Sequence, residues 1–358
     1  SGAAGNIVVG ALDSFVISDA GTGLFADTTS GSSGIGGSII VNTDTFQVTN
    51  GAVLDASTAG SGVGGSILIV ANDFSATSGG QVRTNTSSSG NAGTIKLDVV
   101  DDVTIDGSGS GLFASAAPGS TGTGGSINVD PDRVILTNGA GIAVNSLGSG
   151  PGGNIDLTAG SLFLDQSSFL SAFSANGQGG NITLNVQDIL FLRRGSFISA
   201  TAGNNGSGGN VTIDAAFVVA FLQENSNITA NAFLGPGGNI NITTQGLFGF
   251  TQSATPTPLS DITASSTFGL NGTVIINTPD VDVQSSVTEL SGDFVGSDRV
   301  VAGSCIARTA ASSGSFTVTG AGGLARTPED PKVASRYNVA EIRSLSDGTS
   351  ETSEQLPP

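Results

Sequence analysis

Histidine, tryptophan and methionine are absent from the 358 residues, cysteine and tyrosine occur once each, and 11 Lys and Arg stand against 29 Asp and Glu. Each shortage removes a class of function. Without His, neither a Ser–His–Asp nor a Cys–His nucleophilic site can be assembled, which leaves only lysine-based variants. A net charge of −18 provides none of the basic footprint that nucleic acid requires, and it is repelled by anionic membrane surfaces. The lysines are Lys96 and Lys332 alone. Cys305 has no second cysteine to pair with, so cysteine usage does not identify a redox compartment. With no activating neighbour evident, it reads as a small buried residue. No apolar run reaches the length of a membrane-spanning helix, so membrane insertion is not expected. No signal peptide is seen. The chain opens on Ser1-Gly2-Ala3-Ala4-Gly5, which looks like the end of a repeat and is expected of a processed form or a fragment. Phosphate-binding loops and calcium nonapeptide repeats are missing as well.

What is abundant is glycine, 55 residues of it, and the glycines are placed periodically. A tag of Gly, then Asn, Ser or Thr, then Ile or Val recurs ten times. Its polar member falls at Asn6, Ser38, Ser66, Thr94, Ser126, Asn154, Asn181, Asn210, Asn239 and Thr273. Every tag is followed by a β-branched residue and, two positions later, by another aliphatic one, as in Ile67 and Ile69 or Ile182 and Leu184. That alternation places both on one face of a strand. A second apolar pulse follows eight or nine residues after the tag: Phe15, Phe46, Phe74, Val103, Val134, Phe163, Ile189 and Val281. A third comes further on, at Phe25, Leu54, Val82, Phe113, Ile142, Leu170, Ile198 and Ile228. Each unit therefore reads as three short strands separated by turns.

One such unit cannot bury its apolar side alone. Stacked units can, with each strand pairing to its equivalent above and below. The expected fold is an all-β, right-handed parallel β-helix of about ten coils, its handedness following that of parallel crossovers. The glycine before each tag is expected at a corner where a Cβ would clash or φ is positive. The tag side chains are expected to stack as a polar ladder. Low-complexity disorder does not account for ten copies held in phase. The sequons Asn181-Ile182-Thr183 and Asn210-Val211-Thr212 coincide with tags and are explained by the repeat. The pattern assigns residues 1–284 to the solenoid and 285–326 to a capping segment. Residues 327–358 form a low-complexity tail, too poor in apolar residues for a core of its own.

The Gly-Gly-Asn-Ile and Gly-Gly-Ser-Ile tags, with three strands per unit, resemble the filamentous haemagglutinin-like exoproteins, in particular the cyanobacterial group called S-layer- or haemagglutinin-like. A C-terminal string adds to the likeness: Asn277-Thr278-Pro279-Asp280-Val281-Asp282, then Cys305, then Phe316-Thr317-Val318-Thr319-Gly320 and Gly322-Gly323-Leu324. Ala321 and Ala325 depart from it, standing where Arg and Pro are expected. The resemblance implies a right-handed β-helix exported by two-partner secretion to the extracellular side or the cell surface.

Chemistry is sparse. Several β-helix proteins cleave acidic polysaccharides with grouped aspartates, a His and a basic clamp. Asn42-Thr43-Asp44 and Asp101-Asp102 superficially fit that pattern, but they fall two coils apart and no His accompanies them. Arg193-Arg194 is the one Arg pair and reads as the cap of a solvated turn. Asp98 and Asp130 each lie four residues after a tag and should stack, with Asp101, Asp102 and Asp132 near the same corner. These five form a candidate calcium site, the alternative being a solvated acidic corner. Val8, Ile40 and Leu68 occupy the outward position of the first strand, which is polar in later coils. They form a candidate interface, unless the protein's own loops or further N-terminal residues cover them. The expectation is a non-catalytic secreted surface protein: an adhesin, a sheath or S-layer-like component, or a filament subunit that self-associates end to end. Its candidate partners are a surface glycan or a host-cell ligand. The competing readings are a polysaccharide lyase or glycoside hydrolase on the same scaffold and, more weakly, an ice-binding solenoid, for which no flat Thr array is evident.

Overall fold

Each tag opens a strand because the β-branched residue after it is stiff in the extended conformation and points inward, as does the aliphatic residue two positions on. A computed structural model describes residues 2–279 of the chain. The expected cap over 285–326, the tail over 327–358, Cys305 and Val281 lie outside the described residues. The ten tag strands, from Ile7–Gly10 to Thr273–Asn277, pair in parallel with their equivalents one coil away. Second strands form a column that runs from Ser14–Ser18 upward, and third strands one from Gly23–Phe25 to Asp261–Thr263. The described residues form a parallel β-solenoid of about eight turns with almost no helix. Each of the ten tags opens a strand as expected, but the coil opened at Thr273 has no second or third strand among the described residues, so complete turns are fewer than tags.

In the first five coils a bend separates first and second strands. From the sixth coil the two fuse into long continuous strands, Asn154–Leu164, Asn181–Leu192, Asn210–Val219 and Asn239–Phe248. Three short strands per unit is therefore correct only for the first half of the solenoid. The switch follows the sequence of the corner. Thr43-Asp44 and Asp130-Pro131-Asp132 interrupt the apolar alternation, whereas Thr158-Ala159-Gly160 and Asp214-Ala215-Ala216 allow an extended backbone to continue.

The core is one column of side chains per strand position. Ile39, Ile67, Ile95, Ile127 and Ile155 stack in register, as do Leu54, Val82, Leu112, Ile142 and Leu170, all essentially inaccessible to solvent. Burying each such side chain contributes about 1.5–3 kcal/mol. Four of the residues expected in the inward columns face outward. The second-strand inward column runs Phe46, Phe74, Val103, Val134, Leu162, Leu190 and Val218, so Phe163 and Ile189 are displaced by one residue. In the third strands Leu24 and Leu112 point inward in place of Phe25 and Phe113. A slip of one residue reverses the face of every side chain in a strand, and two adjacent large apolar residues leave the pattern open to either choice.

The two explanations offered for the glycines divide between two corners. At the tag corner the limit is space. A Cβ on Gly65 would sit on the carbonyl oxygen of Gly37, one on Gly93 on that of Gly65, and one on Gly180 on that of Gly153. The glycines of successive coils thus stack backbone to backbone, without positive φ. Positive φ belongs to the turn between second and third strands, where Asn50-Gly51, Ser78-Gly79, Asn138-Gly139 and Arg194-Gly195 take left-handed pairs of angles. The polar ladder is present. Asn181 Nδ2 donates to Asn154 Oδ1 at 2.9 Å, Asn210 to Asn181 at 2.8 Å and Asn239 to Asn210 at 3.0 Å, while Ser38 and Ser66 share a hydroxyl bond.

Candidate functional site

The long strands of the sixth to ninth coils carry the most developed surface of the described solenoid, in two adjoining halves. One half is apolar. Ile135, Phe163, Phe191, Val219 and Phe248 form one outward column, and Ile189, Phe217 and Gly246 lie in register beside it. Phe217 is 42% and Phe248 55% exposed, with their ring centres 6.4 Å apart. Both rings lean over Gly246, where any Cβ would strike them. Phe163 and Phe191 meet edge to face at 6.3 Å. One rim of this patch is an ionic clamp. The Arg193 guanidinium lies 4.2 Å from the centre of the Phe221 ring and 5.5 Å from that of Phe191, and donates two hydrogen bonds of 2.7 Å to Glu224. Arg194 donates its backbone N–H to Glu224 and its guanidinium to Asp165. The bidentate bond from Arg193 holds the Glu224 carboxyl down at about 2. The same bonds raise Arg193 above the usual guanidinium value, and the side-chain bond to Asp165 raises Arg194. The Arg pair therefore does sit at a turn, with Arg194 in the left-handed region, and both its charges are matched.

The other half is a groove of about 660 Å³, in which polar side chains stand over a lining that is largely apolar, with Val186, Ala215, Ala216 and Pro279 among it. Thr158, Asn185, Asp214 and Thr243 contribute the row four residues after each tag, and Gln187 and Gln245 stand beyond them. The groove exists because the row with the two glutamines is uneven. Gly160 and Ala216 alternate with Gln187 and Gln245, so space opens between the long side chains. A β-bulge contributes too. In the strand Asn181–Leu192, Gln187 and Asp188 together oppose single residues on both neighbouring coils, and both side chains are exposed. A bulge re-aims side chains in this way. Thr244, buried beneath, donates or accepts bonds to the backbone of Ala216 and Gly246 and fixes the floor.

The residues singled out in the sequence are placed as follows. Val8, Ile40 and Leu68 come together. They stack in register in one outward column, which continues through Lys96, Asn128 and Asp156. Val8 is 73% exposed, and Ile40 and Leu68 are half-buried. The five aspartates share a corner but do not converge. Asp98 pairs with Lys96 at 3.3 Å, Asp102 accepts a bidentate bond from Arg133, and Asp132 stands over Gly160. Asp101 and Asp130 are held by backbone bonds. Among the described residues no group of three or more Asp, Glu, Cys or His could hold a metal ion. Asp44 and Asp102 stay on separate coils, in line with their spacing.

The aromatic half of the surface is absent from the sequence expectations. The available signal was the run Leu162-Phe163-Leu164 and its counterpart Leu190-Phe191-Leu192, where the alternation gives way to apolar residues on both faces. The chain was compared with protein-family models, curated proteins and solved structures, and none matches.

Proposed function

We propose that this chain is a non-catalytic extracellular surface protein of the adhesin or sheath type, whose contact face is the combined groove and aromatic patch of the sixth to ninth coils. The supporting observation is the composition of that face: a broad, open groove with amide and hydroxyl side chains beside exposed aromatic rings, in which Asp214 is the one charged lining residue among those described. A lone carboxylate cannot divide acid and base roles as a glycosidase pair does. Lyase chemistry on acidic glycans needs free cations, whereas every Lys and Arg among the described residues is engaged by an acid: Arg83 by Asp55, Lys96 by Asp98, Arg133 by Asp102, Arg193 by Glu224 and Arg194 by Asp165. The tags and the C-terminal string that resemble the haemagglutinin-like exoproteins favour the same reading, as does the strong acidity, which suits a solvated exported rod. Self-association into a filament or layer is a further element of the proposal, motivated by the apolar column of Val8, Ile40 and Leu68. Beads coated with the chain should adhere to glycan-bearing surfaces, and beads coated with a Phe217→Ser/Phe248→Ser variant should adhere several-fold less. Equal adhesion by the two would remove this face from the function.

A further inference from the structure

Polar side chains on the solenoid surface are of two kinds. Some amides pair from coil to coil, in the Asn154–Asn181–Asn210–Asn239 ladder and in the contacts from Asn204 to Asn176 and from Asn277 to Asn241, and others face solvent. In the groove, Asn185, Gln187, Asp214, Thr243 and Gln245 make no side-chain hydrogen bond to the described protein. Asn185, Asp214 and Thr243 stack in register at one-coil intervals, whereas Gln187 and Gln245 lie two coils apart. The bulge at Gln187-Asp188 and the small Ala216 keep the two glutamines apart. An array of free amides and a hydroxyl presents donors and acceptors together. That chemistry suits a ligand whose own groups donate and accept at once, as sugar hydroxyls do. The rings of Phe217 and Phe248 beside it offer their electron-rich faces to C–H groups.

Charge narrows the class. Asp214 lies in the groove, and Asp156 and Asp188 are exposed on the same strands, while every Lys and Arg among the described residues is already engaged by an acid. A uronate or sulfated polymer would be repelled. An extended peptide is disfavoured for another reason. The strands under the two glutamines, Asn181–Leu192, Asn210–Val219 and Asn239–Phe248, are each paired on both sides, so at the groove strand addition is open only at the terminal strand Thr273–Asn277 and not along the groove floor. The coil repeat of about 4.8 Å is close to the length of one hexose in an extended chain. Gln187 and Gln245, two coils apart, would contact alternate residues of such a chain.

We infer that the groove binds an uncharged polysaccharide lying along the solenoid axis, about one sugar residue per coil, with Gln187 and Gln245 as its principal hydrogen-bonding residues. This rests on the adhesive reading above and names its ligand class. The test is affinity electrophoresis of the full chain in gels containing a mixed-linkage β-glucan, a glucomannan or a xylan, against polygalacturonate. At least one uncharged polymer should retard the chain and polygalacturonate should not. Gln187→Ala/Gln245→Ala should weaken retardation at least tenfold with an unchanged circular dichroism spectrum and melting point, while Gln47→Ala on a distant coil leaves it intact. Gln187→Arg/Gln245→Arg should transfer retardation to polygalacturonate. Retardation by polygalacturonate alone, by none of the polymers, or undiminished in the double alanine variant would overturn the inference. In the first case the adhesive reading would stand. Shortening of a bound uncharged polymer would instead sink the non-catalytic reading while keeping the site.

Discussion

At the level of single residues the solenoid depends on what is small. The glycine ahead of each tag touches the carbonyl of the glycine one coil below, so its hydrogen is a packing requirement. A Cβ at Gly180 would meet the backbone oxygen of Gly153 and the side chain of Ala172 at once. Gly180→Ala should therefore cost about 1–3 kcal/mol, the usual range for overpacking a tight interior. A denaturant midpoint equal to that of the parent chain would contradict this close approach. A second residue-level test concerns Glu224. Its carboxyl is held near 2 by Arg193, below the roughly 4.3 of an unfolded glutamate. Because the folded value is the lower one, the stabilisation is present in full above about pH 4.3 and disappears as the pH falls towards 2. Measured against Glu224→Gln, the parent should melt higher by an amount worth roughly 1 kcal/mol at neutral pH. The difference should close in acid, and a difference that grew in acid would reverse the assignment.

At the level of strands, the tag and the first strand were fully legible because the tag itself fixes the register: a β-branched inward residue follows every polar tag residue, even where the next, outward residue is apolar as at Val8, Ile40 and Leu68. The second and third strands were legible only to within one residue. Where two large apolar residues adjoin, as in Leu162-Phe163 or Leu112-Phe113, hydrophobicity alone cannot say which points inward, and only stacking on the neighbouring coil decides. The aromatic patch went unread for that reason, since its Phe163 was counted towards the core. The bulge left a trace in the spacing. The inward Leu190 falls nine residues after Asn181, whereas Leu162 and Val218 fall eight after Asn154 and Asn210. The aspartate corner shows the opposite failure. Proximity in the repeat was legible, but the capture of Asp102 by Arg133 depends on rotamers that spacing does not reveal. The register gives a direct prediction. Leu190→Ala, which empties an inaccessible core site, should cost about 2–5 kcal/mol, and Ile189→Ala on the outer face should cost under about 1 kcal/mol. Equal losses at the two positions would mean that this strand is assigned one residue out of register.

At the level of the whole molecule, repetition turns a weak local feature into an extended one. One free amide on one coil binds little. Strands repeated every 4.8 Å or so hold Asn185, Asp214 and Thr243 and, two coils apart, Gln187 and Gln245 along one groove, with the outward columns that carry Phe217 and Phe248 beside it. Repetition also bears on the proposal of an adhesive, non-catalytic surface. Successive coils present near-equivalent positions, while acid–base chemistry needs two carboxyls in deliberately unequal surroundings. The most direct measurement is product analysis: the purified chain is incubated for a day with neutral and acidic polysaccharides, and new reducing ends and unsaturated products are followed. The account predicts that polymer is retained by the chain at its original length with no new ends. New ends appearing in proportion to protein, and lost in an Asp214→Asn or Asp102→Ala variant, would contradict it.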